Sequence, residues 1–187
     1  MSRSRRARIM VNQGWGEHLN SVVLVSNMSH EAIHMHGVVV SLRRQEGQKL
    51  RTFLRDTGDA DNWRRRKDPE TVLRQGPLSP GEFMNLGTFR GLVDEAMNNL
   101  GYPDVDNGVI ESLDVDSIKV TVICNYGPNG RFIGAQRRFD VAARDPVRLR
   151  PATVESRTLW GRKAARKLER WLDAEFVHVK PGTSASG

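Results

Sequence analysis

The sequence predicts a mainly β fold, an antiparallel β-sandwich with one crossover helix and a C-terminal amphipathic helix. Three observations lead there. Short segments rich in β-branched residues recur roughly every ten residues between clusters of turn formers. Apolar residues Phe89, Leu92, Val93, Ala96, Met97 and Leu100 repeat at helical spacing in mid-chain, and a second such stripe lies near the end. Strands in series with one helix inserted and one appended suit two packed sheets better than alternating strand–helix units.

Taken in order, residues 1–18 read as a basic N-terminal arm. Arg3, Arg5, Arg6 and Arg8 precede the brief apolar run Ile9-Met10-Val11, which Asn12-Gln13-Gly14 ends at once. Leu19 to Val25 predicts the first strand, closed by Ser26-Asn27-Met28-Ser29. Ile33 to Leu42 alternates and then becomes continuously apolar, as in a strand buried on both faces over its second half. Gln45 to Gln48 makes a tight turn, and Lys49 to Leu54 supplies a third strand. Residues 55–76 form a polar loop holding Arg64, Arg65, Arg66 and Lys67. Loops of that length are uncommon and are usually functional or disordered.

Leu78-Ser79-Pro80-Gly81-Glu82 turns the chain into a short strand at Phe83 to Leu86. Thr88 offers the N-cap oxygen of the mid-chain helix, and Gly101 stands where a left-handed C-cap is needed. Val109 to Val115 has β character. Ile118 to Asn125 is a strand with Ile118, Val120, Val122 and Cys124 on one face. Tyr126 to Gly130 turns it, and Arg131 to Val141 returns as its hairpin partner with Arg131, Arg137 and Arg138 outward.

Pro146 and Pro151 mark a linker, so 19–145 is the folded domain and 146–180 a linker and helix. That helix spans about Thr158 to Phe176. Its stripe is Trp160, Ala164, Leu168, Trp171, Leu172 and Phe176, with Arg162, Lys163, Arg166, Lys167 and Arg170 largely off it. The Gly/Ser-rich tail 181–187 is expected to be flexible.

Residues 19–141 resemble a loose group of bacterial immunoglobulin-like domains of unknown function. The likeness rests on Leu78, Pro80, Gly81 and Glu82 of the turn, on Phe89 to Leu100 followed by Gly101, and on Gly130 and Arg131 at the last hairpin. The group often has an acidic residue before the hairpin glycine, where this chain has Gly127-Pro128-Asn129. Its members are often membrane-tethered. The resemblance implies an immunoglobulin-like sandwich, and turn and cap signals of this kind specify a fold rather than an activity.

Charge bounds the partners. The 187 residues carry a formal net charge of +7, and residues 131–187 alone hold thirteen Lys and Arg against six Asp and Glu. Such a surface attracts nucleic acid, an acidic protein or an anionic membrane. Cys124 is the only cysteine, which excludes an intrachain disulfide and suits a reducing compartment. The N-terminal arginines lack the apolar stretch of a signal peptide, and no run approaches the ~18 apolar residues of a membrane span. Cytoplasm, or the inside of an assembled particle, is the expected location.

Chemistry-bearing patterns are few. His34 and His36, two apart on a strand, present both imidazoles on one face, a way to offer two nitrogens to zinc or copper. A solvated strand face opposite Ile33 and Met35 explains them equally, and only Glu31 stands nearby as a carboxylate. Asp104 to Gly108 opens like a calcium loop, but its glycine comes one position early and position twelve is Val115. Cys124 shares the face of Val120 and Val122, which suits a buried hydrophobe better than a nucleophile. No nucleophile elbow, phosphate-cradling glycine loop or carboxylate pair appears, so no catalytic residue and no cofactor are expected.

The expected function is a non-enzymatic interaction or structural module docking onto a larger assembly, such as a phage or other particle. The stripe of Trp160, Leu168, Trp171, Leu172 and Phe176 must then find a covering surface, either the sandwich itself or, in the docking reading, a protein partner or a second copy. The alternative is a nucleic-acid-binding protein, with Arg3, Arg5, Arg6, Arg8, Arg64 to Lys67, Arg137, Arg138 and the basic side of the last helix on phosphates, and Trp63 on a base. An enzyme with no sequence-visible site is the third possibility.

Overall fold

The computed structural model describes residues 6–55, 72–102, 115–127 and 129–178. Among the described residues the chain is mainly β, with two helices and antiparallel sheets. A three-stranded sheet has the order β1-β2-β6, from β1 (Ile9–Gln13), β2 (Val22–Asn27) and β6 (Phe83–Thr88). A seven-stranded sheet runs β10-β8-β7-β3-β4, from β10 (Arg157–Leu159), β8 (Arg131–Arg144), β7 (Val115–Tyr126), β3 (Ile33–Arg44) and β4 (Lys49–Leu54). Two short strands extend it: β5 (Gly76–Leu78) pairs with β3, and β9 (Val147–Pro151) with β8.

One apolar core joins the two sheets. Val11, Val23, Val25, Met84 and Leu86 from the small sheet pack in the same cluster as Val38, Val40, Val120, Val122 and Phe139 from the large one. The helix α1 (Phe89–Asn99) adds Leu92, Val93, Ala96 and Met97, and its Phe89 meets Phe139 edge-on at 4.8 Å. Local chemistry sets its bounds. Thr88 Oγ1 accepts from the Gly91 N–H at 3.0 Å. At the other end Gly101 takes φ +89, the Tyr102 N–H reaches the Met97 carbonyl and the Gly101 N–H reaches that of Asn98. That is a Schellman stop, which a β-carbon at 101 would disfavour.

The turn at residues 78–82 has an equally local cause. Leu78 is fully buried, the Ser79 N–H donates to Glu82 Oε2 at 2.9 Å, and Gly81 has φ +79. Behind it the buried Asn27 amide donates to the carbonyls of Glu31 and Leu78 and accepts from the Ser29 N–H.

The outer face of the large sheet carries α2 (Arg162–His178). Leu168 and Leu172 are buried there against Val39, Phe53 and Ile123, with Trp171, Phe132 and Leu159 partly buried around them. Gly134 permits the approach: a β-carbon there would stand 2.6 Å from the Val122 carbonyl oxygen and 3.2 Å from Leu168 Cδ1. Among the described residues, no helix is long and apolar enough to cross a membrane.

Several expectations need correction. The 1–18 arm is not an arm from Ala7 onward, because Ala7, Ile9 and Val11 are buried and β1 pairs with β2 along its whole length. The Met28 N–H also donates to the Arg8 carbonyl. Two inward side chains suffice for a short edge strand, so the following Asn-Gln-Gly did not forbid one. The linker at 146 is instead β9 and β10, with Val147 and Leu149 buried; edge strands tolerate the proline at Pro151. The last helix starts at Arg162 rather than near Thr158, since Gly161 breaks the chain at φ +96 and Trp160 falls off the stripe. Finally, the stripe is covered by its own domain rather than a neighbour. The first strand also shifts, from Leu19–Val25 to Val22–Asn27. Most of the polar loop, the 103–114 stretch with its acidic cluster, and the 181–187 tail lie outside the described residues.

Candidate functional site

Strand register aligns side chains into lines across a sheet, with directly opposed partners about 4.5–5.5 Å apart. One such line crosses four strands of the large sheet. Arg51 of β4 faces Ser41 of β3, Ser41 faces Lys119 of β7, and Lys119 faces Arg138 of β8. Three cations with one serine between them therefore lie side by side. They share the outer face with Val39, Phe53 and Ile123, which are two or four positions away on the same strands. Lys49 falls two positions beyond Arg51, opposite the exposed Arg43.

The helix α2 covers the neighbouring apolar line and leaves the basic one beside its edge. There Lys167 and Trp171 close the patch: Arg51 Cζ lies 4.6 Å from the Trp171 ring centroid and Lys167 Nζ lies 4.9 Å from it. Each such contact is a cation–π attraction that fixes where the charge sits. Burial holds the Lys119 ammonium below its ordinary range, and Lys167, Lys49, Arg51 and Arg138 push it the same way. Asp140 pairs with Arg138 at 2.9 Å at the margin, with both groups about half exposed. Like charges placed directly across a sheet destabilise it. Local arrangements that break such a rule concentrate at functional or strained sites.

The sequence-selected residues divide sharply. Arg138 and Lys167 belong to the patch, while Arg162, Lys163, Arg166 and Arg170 are exposed along α2. Arg6 and Arg8 are exposed at the start of the small sheet's edge strand. Arg3, Arg5, Arg64, Arg65, Arg66 and Lys67, with Trp63, lie outside the described residues. Arg137 is a correction: it points inward. Its Nη1 donates to the Val11 carbonyl and to Asn12 Oδ1, its Nη2 donates to the carbonyls of Thr153 and Val154, and only 9% of the residue is exposed. Its alternation with Ile133, Ala135 and Phe139 puts it on the core face, and burial lowers its pKa.

The docking stripe is corrected likewise. Leu168 and Leu172 are buried on the sheet and Trp171 is half-buried beside them. Trp160, 36% exposed, packs edge-on against Tyr126 at 5.9 Å. Phe176 is in the last turns of α2, its side chain outside the described part.

His34 is exposed and His36 half-buried, their rings 5.3 Å apart. Burial is the main cause lowering the His36 pKa, the Asn125 side-chain oxygen opposes it as an acceptor, and His34 adds to the lowering. Among the described residues no three His, Cys, Asp or Glu side chains group to hold a metal ion. Cys124 is fully buried, and burial pushes its thiol pKa up, away from thiolate chemistry.

Sequence reading missed Lys49, Arg51, Lys119 and the place of Trp171. Lys119 is the one cation in β7, which is a signal, but its cationic neighbours follow only from the register of four strands. Comparison with protein-family models, with curated proteins and with solved structures found no match.

Proposed function

We propose that this protein is a non-enzymatic binding module that holds a nucleic-acid backbone on the outer face of its larger sheet. The Arg51–Ser41–Lys119–Arg138 line carries the reading. Arginine forks and lysine ammoniums in a row suit repeated phosphates. An acidic protein would call for an apolar centre ringed by charge. Here the apolar residues beside the row are already covered by α2, and so is the stripe that favoured a protein neighbour. The strand order β1-β2-β6 against β4-β3-β7-β8 supports an immunoglobulin-like sandwich as the finer form of the fold.

A labelled 20-nucleotide single strand is the probe. Four phosphates neutralised would give a slope of log affinity against log salt of about −3. The double variant Lys119→Gln, Arg138→Gln should flatten it by about 1.4. Lys119→Gln alone should weaken binding and at the same time stabilise the fold by roughly 0.2–1 kcal/mol, since it removes a directly opposed like charge. Affinity that ignores salt, or a Lys119→Gln chain that binds as the parent does, would sink the reading.

A further inference from the structure

The row of cations ends at a pocket. Val39, Arg51, Phe53, Leu100, Trp171 and Ala174 line a cavity of about 300 Å³ between the end of α1 and the body of α2, over β4. That is the lower end of the usual ligand range, the size for a single ring system. Arg51 belongs to both features: it stands in the cation row and it lines the pocket, with its guanidinium over the Trp171 ring. Asn99, exposed at the last turn of α1, also lines the pocket and brings an amide that can pair with a base edge.

We propose that this pocket takes one unstacked base of a single-stranded nucleic acid whose phosphates lie along the adjacent cation row. The inference rests on the nucleic-acid reading above and names the form of that ligand. A flat heteroaromatic ring joined to a phosphate matches a slot of mixed polar and apolar lining beside a line of cations. Guanidinium planes are stacking platforms for splayed-out bases. Trp171 then acts beneath Arg51, holding the platform flat, rather than touching the base itself. A duplex keeps its bases stacked inside and must spend a few kcal/mol to extrude one. The face should therefore prefer single strand to duplex, although phosphate contacts alone would favour the duplex for its higher charge density.

The test compares a 12-nucleotide single strand, its duplex and a mononucleotide on the full chain, with Ala174→Leu and the size-conserving Ala174→Ser. Ala174 is exposed on α2, so filling the pocket from that position leaves the core intact; the melting temperature checks this. Stacking of one base corresponds to about a tenfold effect or more. The single strand is expected to bind at least tenfold tighter than the duplex. Ala174→Leu should erase most of that difference with the salt slope and duplex affinity unchanged, and Ala174→Ser should behave as the parent. The mononucleotide, with one phosphate, should bind far more weakly than the 12-mer. Equal affinity for single strand and duplex, with Ala174→Leu silent, overturns the pocket and leaves the phosphate reading standing. A mononucleotide as tight as the 12-mer also overturns it, and binding of no nucleic acid at low salt overturns both.

Discussion

Arg137→Met is expected to cost about 3 kcal/mol of folding stability, read as a lower urea midpoint with the slope unchanged. The guanidinium spans two parts of the fold. It reaches Val11 and Asn12 on β1 of the small sheet, and Thr153 and Val154 in the turn between β9 and β10, over distances of 2.8–3.1 Å. Hydrogen bonds from a charged donor contribute roughly 1.5–3 kcal/mol each, and a buried acceptor left unmet adds its own desolvation cost. Four such bonds would total far more. Desolvating the charge offsets part, the lowered Arg137 pKa being its sign, and freed carbonyls near the surface recover water. Methionine keeps the aliphatic stem and removes the guanidinium, so the loss measures the polar clasp together with the guanidinium's contact with the Phe139 ring. Arg137→Lys should rescue little, because an ammonium cannot serve four oxygens in one plane. A change under about 0.5 kcal/mol in Arg137→Met would mean that the clasp is idle.

Leu168→Ala should destabilise by about 2–4 kcal/mol, the range for a buried leucine whose site closes only in part. The side chain is fully buried over Gly134 and beside Ile123, so the sheet cannot rise to fill the space. Gly134→Val should cost at least as much from the other side, since its β-carbon would meet the Val122 carbonyl at 2.6 Å. Thermal melts of both variants check the assignment of the stripe to its own sheet. Should Leu168→Ala melt with the parent while altering only association state, the stripe serves a neighbour instead.

Much of the fold was legible where one signal sufficed. Alternation placed β3, β4, β7 and β8 within a few residues, and Thr88 with Gly101 bounded α1, because caps and strand period act over four or five positions. Misreadings came where a residue type was given its commonest role. Arg137 was set outward for its charge, although its parity with Ile133 and Phe139 already turned it inward. Prolines at 146 and 151 suggested a linker, while Pro146 sits in the turn between β8 and β9 and an edge strand accommodates Pro151. Trp160 fitted the helical spacing, but Gly161 begins the helix after it. The basic row could not be read in advance at all. Arg51, Lys119 and Arg138 are widely separated in sequence and become neighbours only through three pairings, each of which a one-residue slip would send to the other face.

The bonds that finish β1 have a consequence in time. The Val11 N–H donates to Ser156 Oγ and the same hydroxyl donates back to the Val11 carbonyl, at 2.7 and 2.9 Å, across 145 positions of sequence. A ribosome adding ~5–20 residues each second takes roughly 7–30 s to synthesise that interval. Within it β2, β6 and the core strands β3, β7 and β8 are all made, so β1 can pair and bury Ile9 and Val11 while this clasp is still missing. The strand made first is thus secured last, its closing bonds waiting until Ser156 has been added.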